Sequence, residues 1–433
     1  MADHALSDSP VVQRQLDRLE ALSPGMDVLG LDRIAALMAR IGHPERALPP
    51  VFHVAGTNGK GSTCAFLRAA IEAAGLSAHV YTSPHLVRFN ERIRLAGTLI
   101  GDDPLAELLA EVLDASADIH PTFFEATTAA ALLGFSRTKA DACIVEVGVG
   151  GRLDATNIIE RPAVCGITQL AIDHQAMLGP NLEIIAGEKA GIAKRGVALV
   201  TQHYPARIAE RIGAAAAEAG ALWLPRGHQW NAGVYQGKLH YRDRRGQLDL
   251  PLPRLSGAHQ ALNAGLAIAM LRHQQALPIP DAAMRAAMGW AEWPARLQRL
   301  SAGPLHAMLP TGSELWLDGG HNPAAARAIA DFFRGHVGSG RPFHIVLGLL
   351  QNKDMGGLIK PFRNRSITLH AIPVAGHAHH DPADLSAMAA TGIEDALGWI
   401  ARHADRAQPP VVLVLGSLYL AGEILRKNGQ LPN

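Results

Sequence analysis

The chain has 433 residues, 48% of them hydrophobic and 18% charged, with a formal net charge of +1. That length exceeds one ordinary core and predicts two domains. A near-neutral charge gives no reason to expect a nucleic-acid partner, and no apolar run approaches the ~20 residues that cross a bilayer, so no membrane partner is expected either. The polar, acidic opening over residues 1–10 lacks the pattern of a signal peptide. Cys64, Cys143 and Cys165 are odd in number and scattered, which fits a reducing cytoplasm better than a disulfide framework or a zinc site.

In chain order, apolar β-branched runs over 51–54, 78–81, 142–147, 163–167 and 198–201 read as strands. Helical patterns lie between them, over 62–74, 104–115 and 126–138. This alternation predicts a mainly parallel sheet with helices on both faces. Residues 223–252 instead alternate polar with apolar, with turns at Gln236-Gly237-Lys238 and from Asp243 to Gly246. They read as antiparallel hairpins, a small extension of the first domain. A helix over 258–273, another after Pro280 and the stretch Trp293 to Arg296 close that domain, giving domains of 1–296 and 297–433. The alternation then restarts, with strands over 314–317, 343–347, 367–371 and 411–415, helices over 323–334 and 384–390, and a loop over 335–342.

The densest chemistry follows the first strand, in Gly56-Thr-Asn-Gly-Lys60-Gly-Ser-Thr63. Strand, glycine-rich turn, lysine, hydroxyl and helix is the order that holds a triphosphate. Backbone N–H groups and the helix N-terminus face phosphate oxygens, Lys60 neutralises them, and Ser62 or Thr63 offers a hydroxyl to phosphate or Mg²⁺. The spacing is shorter than in the common P-loop, and Gly61 separates the lysine from Ser62. Glu146 closes the third strand, ahead of Gly148, Gly150 and Gly151; a carboxylate beyond a strand terminus suits Mg²⁺, although a turn cap would look the same. Asp173-His174 follows the next strand, and alone His174 is accounted for structurally. Glu188 and Lys189 lie on a helical stretch whose ordinary role is a solvated face. In the second domain Asp318-Gly-Gly-His321-Asn322-Pro323 joins strand to helix. Asn322 is explained as a cap; Asp318 and His321 are not so readily explained.

Taken in order and spacing, these motifs, with Thr82-Ser-Pro-His-Leu86 and Thr122-Phe-Phe-Glu125, resemble the folylpolyglutamate synthases, in particular the bacterial members that are also dihydrofolate synthases, within the Mur-ligase-like ATP-dependent amide ligases. The resemblance runs from Gly30 to Leu420, and the short P-loop is the spacing that family uses. With the alternation above it implies an α/β fold: a P-loop-containing, mainly parallel sheet domain with a small antiparallel β extension, then a smaller Rossmann-like α/β domain. It implies that ATP is a co-substrate bound by Gly59, Lys60, Gly61, Ser62, Asn263, Arg296 and Asp318. Ser83, Glu146 and His174 would ligate two Mg²⁺ ions, and Lys189 would be carbamylated. Thr122, Phe123, Phe124, Glu125, Arg152, Leu153 and Asp154 would form the pterin site, where either phenylalanine alone is accounted for as well by core packing. Lys60, Glu146, His174, Lys189 and His321 would be catalytic. The implied reaction joins L-glutamate to dihydropteroate and to the tail of reduced folates through an acyl phosphate, in a cytoplasmic monomer. Two departures stand out: Gly320, where the family usually has Ala, and Gln351-Asn352 before Lys353-Asp354. A Mur-type ligase is disfavoured by the folate-type motifs and the lack of an obvious separate N-terminal domain for a UDP-sugar. A switch ATPase or kinase would ignore glutamate. A non-catalytic binding protein would not need the lysine, hydroxyls and carboxylate together.

Overall fold

The first unit is built on a sheet of β1 (Val51–Ala55), β2 (Ala78–Tyr81), β3 (Ile93–Leu95), β4 (Thr98–Leu99), β5 (Ala142–Glu146), β6 (Val164–Ile167), β7 (Ala198–Thr201) and β8 (Leu222–Pro225). Their spatial order is β4-β3-β2-β5-β1-β6-β7-β8. Only the β2–β3 and β3–β4 pairs are antiparallel. In this computed structural model the described residues are 5–23, 29–337, 340–363, 367–385 and 388–432. By internal contacts the chain divides into Met1–Arg254 with Gln260–Glu292, and Leu255–His259 with Trp293–Asn433. Trp293 to Arg296, read from sequence as the end of the first domain, thus cluster with the second.

β1, β5, β6 and β7 are buried along their whole length, as strands covered on both faces must be, which is why they read as mostly apolar runs, broken in β1 by His53. The helices of this unit are α1 (Pro10–Leu22), α2 (Asp32–Arg40), α3 (Lys60–Ala73), α4 (Asp102–Asp114), α5 (Phe123–Arg137), α6 (Gln175–Leu178), α7 (Leu182–Ala190), α8 (Ala206–Ala219), α9 (Ala258–His273, with Ala258 and His259 assigned to the second unit) and α10 (Asp281–Trp290). One core gathers α1, α2, α4 and α5 over one part of the sheet; another gathers α7 and α8. α9 is buried almost throughout, hence its lack of an amphipathic stripe. A second sheet, β9 (Trp230–Tyr235), β10 (Lys238–Asp243) and β11 (Gly246–Pro251), is antiparallel as expected. Its inner Asp243 takes both ends of the Arg272 guanidinium, at 2.8 and 2.9 Å, pinning the sheet to α9. The expected hairpin region is corrected at its start: Trp223 lies in β8, parallel to β7 at the edge of the large sheet.

The second unit has a six-stranded sheet of β12 (Gln298–Leu300), β13 (Glu314–Asp318), β14 (Phe343–Leu347), β15 (Ile367–Ala371), β16 (Met388–Ala389) and β17 (Val411–Leu415), ordered β12-β13-β17-β14-β15-β16. All but the β12–β13 pair are parallel. Its helices are α11 (Pro304–Ala307), α12 (Pro323–Val337), α13 (Met355–Ile359), α14 (Ile393–His403) and α15 (Leu418–Lys427). Trp316 of β13 meets Phe332 and Phe333 of α12 edge-on, both at 5.5 Å between centroids, in the core of this unit. The helix expected over 384–390 is corrected: Pro382–Leu385 is a single 3₁₀ turn and Met388–Ala389 a short edge strand, while 386–387 lie outside the described residues. Part of the loop expected over 335–342 is helix, since α12 runs to Val337, and 338–339 also lie outside.

Candidate functional site

β1 sits between β5 and β6, with Val54 beside Glu146 and Ala55 beside Ile167. Strands lead away to either side of this point, and in open α/β sheets a ligand crevice forms there, beyond the carboxyl ends. The turn that follows β1 is shaped by close backbone approaches. Gly56 has φ +146° and Gly59 φ +91°. A Cβ on Gly56 would overlap the Thr168 hydroxyl just past β6, and one on Gly59 would overlap the Asn263 side chain of α9. Thr57 and Asn58 both donate their N–H to the Gln169 carbonyl, at 3.0 and 3.1 Å. The turn is therefore held before any ligand arrives, and α3 starts at Lys60 with Gly59 as its cap.

Lys60 Nζ lies 3.8 Å from Glu146 Oε1, and Glu146 is buried. Ser62 is buried on the first turn of α3. Lys189 is also buried, and its Nζ donates to the Gly56 carbonyl at 2.9 Å. The helical-face reading of Lys189 is thereby replaced: burial, then repulsion from Lys60, lower its amine to about 7 against the partial support of Asp173 and Asp154. Gly151 allows this approach, because a Cβ there would press on the Glu188 and Lys189 backbone. The structure thus brings Gly59, Lys60, Glu146 and Lys189 to one end of the sheet. His174 is exposed on a left-handed turn, its N–H bonded to Asp173 Oδ1 at 2.9 Å, and Ser83 is half-buried in the loop after β2.

The residues implied for a pterin divide by what they touch. Thr122 and Glu125 form a reciprocal cap on α5, the arrangement their spacing favours. Glu125 also takes both arms of Arg33, each at 2.9 Å. Phe123 is buried, edge-on to Phe89 at 6.0 Å with the Arg92 guanidinium 5.5 Å from its ring. Phe124 is only half-buried, and its ring covers Gly148. Asp154 is buried, accepts from Val149 N at 2.9 Å and Thr156 N at 3.0 Å, and burial raises its carboxyl. Arg152 is exposed and paired with Glu188 at 2.8 Å; Leu153 is half-buried.

In the second unit Asp318, at the end of β13, is buried and accepts from Leu297 N and Gly320 N, both at 2.7 Å. Arg296 Nη1 donates to the Ala295 carbonyl at 2.9 Å. His321 Nδ1 faces the Gly319 carbonyl at 2.9 Å; a carbonyl only accepts, so Nδ1 carries a proton. Asn322 Oδ1 caps α12.

Sequence reasoning passed over three residues. Gln260 hydrogen-bonds Asn263 and stands one helical turn before it, a spacing that is legible in principle. Thr168 could be suspected only as the first residue past a central strand. Arg33, far from Glu125 in sequence, left no local signal.

The chain is 35% identical over 416 residues to the dihydrofolate synthase/folylpolyglutamate synthase of Escherichia coli (strain K12), a match covering 95% of this chain and 94% of that one. Among solved structures, E. coli FolC in complex with DHPP and ADP superposes with a TM-score of 0.85 at 33% identity over 97% of each chain. A bifunctional folylpolyglutamate synthase/dihydrofolate synthase with Mn, AMPPNP and L-glutamate bound gives 0.84 at 33% identity, over 97% of this chain and 98% of that one. No family model matches.

Proposed function

Because the chain belongs to the dihydrofolate synthase/folylpolyglutamate synthase family, we propose that it is an ATP-dependent ligase that joins L-glutamate to dihydropteroate, forming dihydrofolate, and to the glutamate tail of reduced folates. The observation that carries this reading is the convergence of the phosphate-type turn, Lys60, Glu146 and Lys189 at the carboxyl ends of β1, β5 and β6.

A carboxylate is a poor electrophile, and amide formation in water is uphill. Transfer of the ATP γ-phosphoryl group to the acceptor carboxylate makes an acyl phosphate; the glutamate amine then displaces phosphate. Two anions must first meet, and we assign Lys60 and the N-terminus of α3 to neutralising them. Gly59, Gly61 and Ser62 line the phosphates in this reading, with Asn263, Arg296 and Asp318 contacting the nucleotide. The donor set fits Mg²⁺, which takes one or two carboxylates and completes its shell with phosphates and water. Among the described residues no group of three or more His, Cys, Asp or Glu side chains gathers as a metal site. Ser83, Glu146 and His174 would hold the two ions, which supply charge neutralisation at the transferring phosphate. A Lys189 amine titrating at about 7 is nucleophilic toward carbon dioxide at physiological pH. Its nitrogen would bond to the carbon and release one proton, leaving an anionic carbamate beside Lys60. We assign to His321, whose Nδ1 faces the Gly319 carbonyl, the removal of a proton from the incoming ammonium. For the pterin, Phe124 offers the aromatic face. Thr122, Phe123, Glu125 and Asp154 hold that region in shape, with Arg152 and Leu153 at its edge.

We also read the enzyme as a cytoplasmic monomer acting on small molecules without nucleic acid or membrane. Three buried free thiols and the near-neutral charge support this; among the described residues no helix is long and apolar enough to cross a membrane. Phosphate release from Mg-ATP and L-glutamate, with dihydropteroate and tetrahydrofolate as alternative acceptors, tests the function. Release with both acceptors is expected. Release with one would restrict the assignment to that activity, and release independent of glutamate would favour a switch ATPase.

A further inference from the structure

Gln260 lies on the first turns of α9, buried, and makes one side-chain hydrogen bond: its Oε1 accepts from Asn263 Nδ2 at 3.0 Å. Its own amide group, Nε2, is buried and donates to nothing. A buried amide donor left unmade costs stability, so a Met or Leu of similar size would serve simple packing better. What the glutamine adds is an acceptor aimed at Asn263. Asn263 in turn lies against Gly59, closely enough that only a glycine fits there. Gln260, Asn263 and Gly59 thus form a chain from α9 to the turn that opens α3.

We propose that Gln260 is a positioning residue for the nucleotide. Its carbonyl fixes the amide plane of Asn263, and through it the contact of α9 with the Gly59 turn. The inference rests on the reading of Asn263 as a nucleotide contact and adds to it a residue that touches no substrate. Because only Oε1 is used, the role needs a neutral acceptor at this place; a carboxylate would bring an unpaired charge into a buried site. Leu keeps the volume and loses the acceptor.

The test is steady-state kinetics on the full chain with Mg-ATP varied, comparing wild type, Gln260→Leu, Asn263→Ala and the Gln260→Leu/Asn263→Ala double variant. Gln260→Leu should raise KM for ATP about five- to tenfold, the size of one lost hydrogen bond, with kcat changed by less than about twofold. In the Asn263→Ala background, Gln260→Leu should have no further effect on KM, since the two act as one unit. A merely structural glutamine predicts independent, additive effects of the two substitutions, and that result overturns the proposal. If Asn263→Ala raises KM and Gln260→Leu does not, only this inference falls. If Asn263→Ala also leaves KM unchanged, the nucleotide reading of Asn263 falls with it.

Discussion

Lys189 shows how far one residue's surroundings can change its chemistry. On a solvated helix it would remain cationic near its usual 10.5; buried beside Lys60 it is lowered to about 7 because a charge without water is costly and a second cation makes it costlier. Near pH 7 it is therefore split between ammonium, which binds the Gly56 carbonyl, and amine, which reacts with carbon dioxide. Arg cannot lose its proton and cannot form the carbamate. Lys189→Arg is expected to lower kcat by about 10²–10³, as removal of a group organising transition-state charge does, and intact-mass measurement of the native protein should lose any adduct matching one carbon dioxide. Full turnover in Lys189→Arg would show that the carbamate plays no part. The sequence disclosed the lysine but not its burial, since the groups that enclose it come from the turns after β1 and β5.

At the scale of elements, the junctions where a strand ends and a helix begins were legible, because glycine, cap and charged residue must follow one another locally. β1 to α3, β5 to its glycine loop and β13 to α12 were all found this way, as was the cap that Asn322 provides. α1, α2, α8, α14 and α15 were passed over, as was the edge strand β8, whose pairing is set by β7. β13 to α12 also holds the departure at Gly320, whose N–H bonds Asp318. A Cβ there would meet Ile329 Cδ1 at 2.8 Å and Asp318 Oδ1 at 2.9 Å. Ile329 thus fills the space a methyl group at 320 would need. Gly320→Ala is expected to destabilise the protein by about 1–3 kcal/mol through overpacking, read from the urea midpoint. Ile329→Val, which removes Cδ1, should cost about 0.5–1.5 kcal/mol alone yet recover much of the loss when combined with Gly320→Ala. Simple addition of the two costs would refute the coupling.

Across the whole molecule, each unit carries its own sheet and core, and each buries neutral histidine, so each should respond to acid. In the first unit His53 of β1 points Nε2 at Thr156 Oγ1, 2.9 Å away, and that hydroxyl donates to Asp154. Nε2 therefore carries the proton, and Nδ1 is buried without a partner. Burial, then the charge of Lys194, lowers His53 to about 3. In the second unit His344 Nδ1 and His370 Nε2 share one hydrogen bond at 3.1 Å, so protonating both would set N–H against N–H. Burial and then His370 lower His344 to about 4, and burial lowers His370. All three have folded values below the unfolded 6.5, so below that pH the unfolded chain binds more protons than the folded one. Their contribution to stability is complete above pH 6.5 and is lost as the pH falls toward about 4 for His344 and about 3 for His53. The melting temperature should fall across that window, and His53→Asn and His344→Asn should each flatten the decline within their own unit while lowering stability at pH 7.5. A decline unchanged in both variants would assign the acid sensitivity to the carboxylates instead.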